Sequence, residues 1–243
     1  MTGVEGGIIG IVTGLLSEAD LIRRLAARHI GDGSVLVECE GPGPDRAAIA
    51  AQRLLFNGAT ALASVGLAGG LKLSLWPGTA VIARTVIGSG GERYHADPEW
   101  HRSLIGPMIG DDEVVDGDLV ESATPVVSTA DKKVLFDASG ASAVDMESGA
   151  VAAAAEKAGV PFVAIRAIAD PAELAIPKSA LSALESDGSV SPAKALLQAL
   201  VRPYELPALL RLGLYRRRAT ATLSRILVRT AFLTCMDDVI EEA

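Results

Sequence analysis

Five short runs of the chain are dominated by apolar residues. They lie at residues 7–13 (GIIGIVT), 34–38 (SVLVE), 60–65 (TALASV), 79–87 (TAVIARTVI) and 162–168 (FVAIRAI). Runs of this length with no polar alternation are the pattern of strands covered on both faces. Residues 118–128 hold one or two more strands, broken at Pro125. Helical stretches lie between the runs. Ser17 is the expected N-cap of a helix over 18–28, whose acids come early and arginines late, as the helix dipole favours. Residues 45–56 are Ala-rich and closed by Asn57-Gly58; residues 145–158 are Ala-rich and closed at Gly159-Val-Pro161. Alternating strands and helices give the α/β class, a sheet with helices on both faces. Residues 185–192 are rich in turn formers. The chain is expected to divide there into an α/β domain over 1–190 and a helical extension over 191–243, with helices across 193–240 broken near Pro203 and Pro207. No internal repeat is visible.

Composition adds a constraint on the core. Of 243 residues, 49% are hydrophobic but only 4% aromatic, so the interior must be aliphatic. Mean hydropathy is +0.35, yet no uninterrupted run approaches the roughly 20 apolar residues of a membrane span. The start lacks a basic segment and a cleavage site, and Cys39 and Cys235 make no disulfide framework, so a reducing cytoplasm is the expected location. The net charge of −8 argues against general nucleic-acid binding. It is also uneven. Residues 202–229 carry seven arginines against the single acid Glu205, which leaves −14 on the remainder.

Three places could carry chemistry. The glycines of 66–70 follow a strand, where they form either a tight strand–helix turn or a cradle that lets amides approach a ligand. Residues 144–148 (VDMES) set carboxylates and a thioether at the start of an Ala-rich helix. A carboxylate there can accept from vicinal hydroxyls, and a thioether can pack on a sugar face; the plain alternative is a capped helix N-terminus. Asp170 ends the last apolar strand, where α/β proteins bind ligands, or is simply the Asp of an Asp-Pro turn. His29, His95 and His101 show no metal spacing, and no nucleophile elbow is present.

Together, AVDMES (143–148), PFVAIRAIAD (161–170), VGLAGGL (65–71) and ERYHAD (92–97) resemble the purine nucleoside phosphorylase and nucleosidase superfamily over about residues 5–175. The nearest branch looks like the methylthioadenosine/S-adenosylhomocysteine nucleosidases. The shorter chain and the Leu/Arg-rich tail after Leu206 resemble the hopanoid-associated phosphorylases, a subfamily associated with releasing adenine from an adenosyl-hopane to leave a ribosyl lipid. The resemblance implies a three-layer α/β/α nucleoside phosphorylase/hydrolase-like fold with a central mixed sheet. It implies that Asp170 is the general acid that protonates purine N7, and that Glu147 binds the ribose 2′- and 3′-hydroxyls. By the same resemblance Met146 packs on the ribose, Glu18 sits near an attacking water, and Gly69 and Gly70 line the base side. It implies no cofactor and no metal, inorganic phosphate as the one co-substrate to be considered, and a homo-oligomer.

The departures matter as much. Ser64 and Leu67 stand where the phosphorylases carry Arg and Ser, their N-terminal Gly-x-x-x-Arg loop is missing, and Ala169 replaces a serine that could hydrogen-bond Asp170. Arg84 and Arg93 are the arginines left to nominate for a phosphate. These departures favour water, whereas the subfamily's name favours phosphate. They also leave open a nucleoside-binding protein without catalysis. In the tail, Leu212, Tyr215, Ala219, Leu223, Ile226 and Leu233 form one helical stripe. Arg211, Arg218, Arg225 and Arg229 border it on one side and Arg216 on the other. Such a stripe suits packing on the acidic domain, the favoured reading, or a peripheral membrane contact through 206–233 by a chain acting on a lipid-linked nucleoside.

Overall fold

The computed structural model describes residues 7–29 and 34–230. Leu233 and Cys235 lie outside the described residues. The elements in chain order are β1 (Ile9–Val12), α1 (Leu16–His29), β2 (Val35–Glu38), α2 (Pro44–Phe56), β3 (Ala61–Gly70), β4 (Ala80–Ile87) and β5 (Arg93–His95). Then follow α3 (Pro98–Ile105), β6 (Val114–Glu121), α4 (Thr129–Ser139), β7 (Ala143–Asp145), α5 (Ser148–Ala158) and β8 (Phe162–Asp170). The last helices are α6 (Lys178–Leu181), α7 (Pro192–Val201) and α8 (Leu206–Arg229).

The eight strands form one mixed sheet in the order β2-β1-β3-β7-β6-β4-β5, with β8 bridging β3 and β4. Because β8 pairs parallel to β3 and antiparallel to β4, the strands β3, β7, β6, β4 and β8 close into a ring. Side chains alternate across it, as pleating requires. Ala61, Ala63 and Val65 of β3 face one core together with Val163, Ile165 and Ala167 of β8. Leu62 and Ala68 face the other, with Phe162, Ala164 and Ile168. Residues of α1, α3 and α8 cover the first face, and α2 and α5 cover the second. This is the expected α/β/α arrangement around a mixed sheet.

Several boundaries differ from expectation, each for a local reason. The glycines of 66–70 are not a turn: β3 runs through to Gly70, with a register shift between Ala68 and Gly69. Residues 143–145 form β7, so α5 starts at Ser148 and not at Asp145. Residues 118–128 hold one strand end, since β6 stops at Glu121. Ser17 does not cap α1; the helix begins at Leu16, and Glu18 reaches back to the Leu15 amide at 3.1 Å, half of a capping box. Pro207 does not break the tail: it occupies the first turn of α8, where a missing N–H costs nothing. Helices α3 and α4 carry no clear apolar period in the sequence; each is capped by a side chain, Asp97 accepting from the Trp100 amide and Ser128 from the Asp131 amide.

The second half of α8 belongs to the core. Ala219, Leu223, Ile226 and Leu227 are buried against the sheet. On its border, Arg225 pairs with Asp111 and with Glu113 (2.6 Å), and Arg229 reaches Asp111 at 3.4 Å. No helix among the described residues is long and apolar enough to cross a membrane.

Truncating a fully buried leucine removes transfer energy and leaves a cavity. Leu223→Ala is therefore expected to lower the unfolding free energy by about 2–5 kcal/mol in urea denaturation. A loss below about 1 kcal/mol would show that α8 lies outside the cooperative core.

Candidate active site

Arg166 occupies the middle of β8 and is 1% exposed. A guanidinium in an aliphatic interior needs counter-charge and acceptors, and the neighbouring strands and helix starts supply them. One terminal nitrogen lies 2.6 Å from Asp145 Oδ2, 2.7 Å from Ser64 Oγ and 3.2 Å from Glu147 Oε2. Nε donates to Ser148 Oγ at 3.3 Å. Asp145 comes from the end of β7, Glu147 from the turn into α5 and Ser64 from β3.

Glu18 completes this cluster from the first turn of α1. Its Oε1 accepts from the Leu67 amide at 2.9 Å and its Oε2 from the Leu15 amide. Burial raises its pKa, against the pull of Arg166, of the two amides and of Arg216. Glu147 is raised by burial as well; Arg166 opposes this while Asp145 and Glu18 add repulsion. Its Oε1 accepts from the Gly43 amide at 3.2 Å.

The glycines make sense in this setting. A Cβ on Gly66 would lie 2.4 Å from an Arg166 nitrogen and 2.8 Å from Glu18 Oε2, and one on Gly14 would lie 2.7 Å from Glu147 Oε1. They clear space for the protein's own charged groups. Gly69 lies at the other end, where a Cβ would stand 3.0 Å from Asp170 Oδ2.

Asp170 has a different partner. Lys132 of α4 is fully buried, and its ammonium donates to Asp170 Oδ2 at 2.6 Å. It also donates to the carbonyls of Asp170, Pro171 and Leu174 at 3.1, 2.9 and 3.0 Å. Those acceptors satisfy its donors and tie α4 to the chain leaving β8. Burial pushes the Asp170 carboxyl up to about 6, with Lys132 pulling it down. The hydrogen-bond partner that Ala169 cannot provide is thus replaced by a lysine.

The carboxylates face one cavity of about 380 Å³. Asp170, Glu18, Glu147, Met146 and Gly69 all line it. Gly70 does not; it packs against Ile168 and Pro171. Arg84 and Arg93 are also elsewhere, paired with Asp116 and Asp118 because β4 and β5 point them along the outer sheet surface. The arginines that do line the cavity are Arg166 and, from α8, Arg216. A separate wall is apolar: Leu181, Leu184, Val190, Leu209 and Leu212, with Gly213. Arg166 was readable, since an arginine inside a continuous apolar strand must be paired. Lys132 sits in a polar stretch that nothing marks.

The sequence profile of the phosphorylase superfamily matches residues 17–202. No curated protein sequence matches the chain. Among solved structures, the fold is similar to futalosine hydrolase of Helicobacter pylori, with a TM-score of 0.70 at 17% identity, covering 93% of this chain and 97% of that one. It is equally similar to the 5′-methylthioadenosine/S-adenosylhomocysteine nucleosidase of Neisseria meningitidis (TM-score 0.70, 17% identity, 93% and 98% covered). The corresponding nucleosidase of S. pneumoniae gives a TM-score of 0.70 at 18% identity, with 94% and 99% covered.

Removing Arg166 would strand three buried carboxylates. Arg166→Met is expected to cost about 3–5 kcal/mol of stability, read by urea denaturation at neutral pH. Part of that loss should return at lower pH, where the carboxylates protonate; a pH-independent loss would contradict the charge argument.

Proposed function

The chain belongs to the phosphorylase superfamily, and from that premise we propose that it cleaves the N-glycosidic bond of a 5′-substituted adenosine and releases adenine. The carrying observation is that one cavity holds two separate acid systems, Asp170 on its lysine and the Glu18–Glu147 cluster on Arg166.

In this reading Lys132 pins Asp170 Oδ2 and the other oxygen delivers a proton to purine N7. The C–N bond breaks with its electron pair moving into the base, and positive charge develops on the sugar. Glu147 accepts from the ribose 2′- and 3′-hydroxyls, Met146 packs on the sugar, and Gly69 lines the base side. Glu18, held by two amides and raised by burial, takes a proton from the attacking water. The products are adenine and a 5-substituted ribose.

Water is favoured over phosphate by charge. Arg166 already faces Asp145, Glu147 and Glu18, so a dianion entering that corner would meet net negative charge. The structural neighbours, a hydrolase and two nucleosidases by name, agree with this.

The apolar wall favours an apolar group on the 5′ carbon. A charged homocysteine there would lose hydration against these side chains, which an apolar group would not. The finer proposal is therefore an adenosyl-hopane, converted to a ribosyl hopane.

Mass spectrometry of products from several 5′-substituted adenosines is the direct test. Adenine and free sugar are expected without phosphate, with 5′-alkyl substrates favoured over S-adenosylhomocysteine. Strict phosphate dependence with a ribose 1-phosphate product would overturn hydrolysis. Asp170→Asn should lower turnover at least about 100-fold; unchanged adenine release would remove Asp170 from the chemistry, and no release by any form would favour a binding protein.

The pH profile tests Lys132. Asp170 must be protonated to act, so kcat/KM is expected to fall as pH rises through about 6. Lys132→Met removes the cation that lowers this pKa, so the falling limb should move to higher pH. A limb that stays in place would contradict the assignment.

A further inference from the structure

The tail presents an uncovered face. In α7, Leu197, Leu200 and Val201 are 63%, 72% and 74% exposed, and Tyr204 just beyond is 75% exposed. The spacing of Leu197, Leu200 and Val201 places these three on one side of α7. In α8, Leu206, Leu210 and Leu214 repeat every four residues and are 42%, 64% and 61% exposed. This is not the stripe that packs on the domain; that stripe runs through Leu223 and Ile226 on the buried side of the same helix.

The charge around this face is of one sign. Arg211, Arg217 and Arg218 are exposed and form no ion pair among the described residues. Arg225 and Arg229, farther along α8, are already paired with Asp111. The one acid among residues 192–230, Glu205, is turned inward onto the amide and hydroxyl of Ser179, at 2.9 and 2.5 Å.

We propose that this face is a docking surface for an anionic lipid bilayer. Exposed leucines flanked by unpaired arginines are what a surface-lying helix offers to acyl chains and acidic headgroups. A second copy of the chain fits less well, because a twofold contact would set arginines against arginines. Residues 1–201 carry 15 basic against 25 acidic side chains, a charge of −10, which an anionic surface repels, so the approach that suits such a surface is through this basic face. The other side of the same stretch of α8 (Leu209, Leu212 and Gly213) lines the cavity, so docking holds the cavity beside the bilayer. Handover of an apolar substrate rests on the proposed function; the docking itself does not.

Co-sedimentation of the full chain with vesicles tests the docking. Binding is expected to vesicles of phosphatidylcholine with phosphatidylglycerol, not to phosphatidylcholine alone, and to weaken with salt. Leu210→Ser with Leu214→Ser should reduce binding about tenfold or more, and Arg211→Glu with Arg217→Glu likewise. None of these side chains lines the cavity, so near-ultraviolet circular dichroism and adenine release from a water-soluble 5′-modified adenosine should not change. Absent binding, equal binding to neutral vesicles, or binding that survives both variants would overturn the proposal. So would sedimentation velocity showing that the leucine variant breaks an oligomer into monomers, which would make the face an interface between copies. Vesicle binding by a chain that releases no adenine would leave the docking standing and remove the proposed function.

Discussion

A guanidinium without water has to be surrounded by charge of opposite sign and by acceptors for its remaining protons. Arg166, placed in the centre of a strand buried along its whole length, imposes that demand on everything near it. Asp145 and Glu147 approach it from one side, Glu18 stands near it from another, and Ser64 and Ser148 take up remaining donors. Gly66 and Gly14 must lack side chains so that the carboxylates can come close. The end of β7, the middle of β8, the start of α5 and the first turn of α1 therefore meet at one point. The carboxylates that line the cavity are the counter-ions of the protein's own cation. Their positions are set before any substrate arrives, which is how an active site avoids reorganising when charge develops.

The same electrostatics divide the cavity. Around Arg166 burial raises both Glu147 and Glu18, and repulsion from Asp145 and Glu18 adds to the rise at Glu147. At the far end Asp170 faces Lys132 alone, and that ammonium is fixed by three carbonyls besides the carboxylate. Burial raises Asp170 while the lysine restrains the rise. In the proposed reaction one end holds hydroxyls and accepts protons while the other donates. The absence of a serine before Asp170 costs the acid nothing in support, because a different element, α4, reaches in with a stronger partner.

What was legible in the sequence follows from what each signal physically reports. The strands at 9–12, 35–38, 61–65, 80–87 and 162–168 stand out because strands within a covered sheet are built mainly from apolar residues. The VDMES and RAI-x-D segments showed where carboxylates gather. The glycines of 66–70 were misread as a turn, since a sequence shows that a residue lacks a side chain but not which neighbour needs the space. Arg84 and Arg93 lie close to the site along the chain, but strand direction sends them outward to Asp116 and Asp118. Lys132 was missed because its burial depends on contacts about 40 residues away, and no local period records that.

The last helix shows how a single periodic pattern can serve two environments. The stripe through Ala219, Leu223 and Ile226 turns inward, and the arginines on its border are held by Asp111 and Glu113. That contact anchors the second half of α8 to the sheet that carries Arg166. The first half is left as a projecting segment with Leu209 and Leu212 on the cavity and Leu206, Leu210 and Leu214 toward solvent. A net charge of −8 conceals this arrangement, since it averages an acidic body with a basic helix. Because the anchored half is rigidly packed, the projecting half has a defined orientation relative to the cavity, so whatever meets its outer face is placed next to the site by the fold itself.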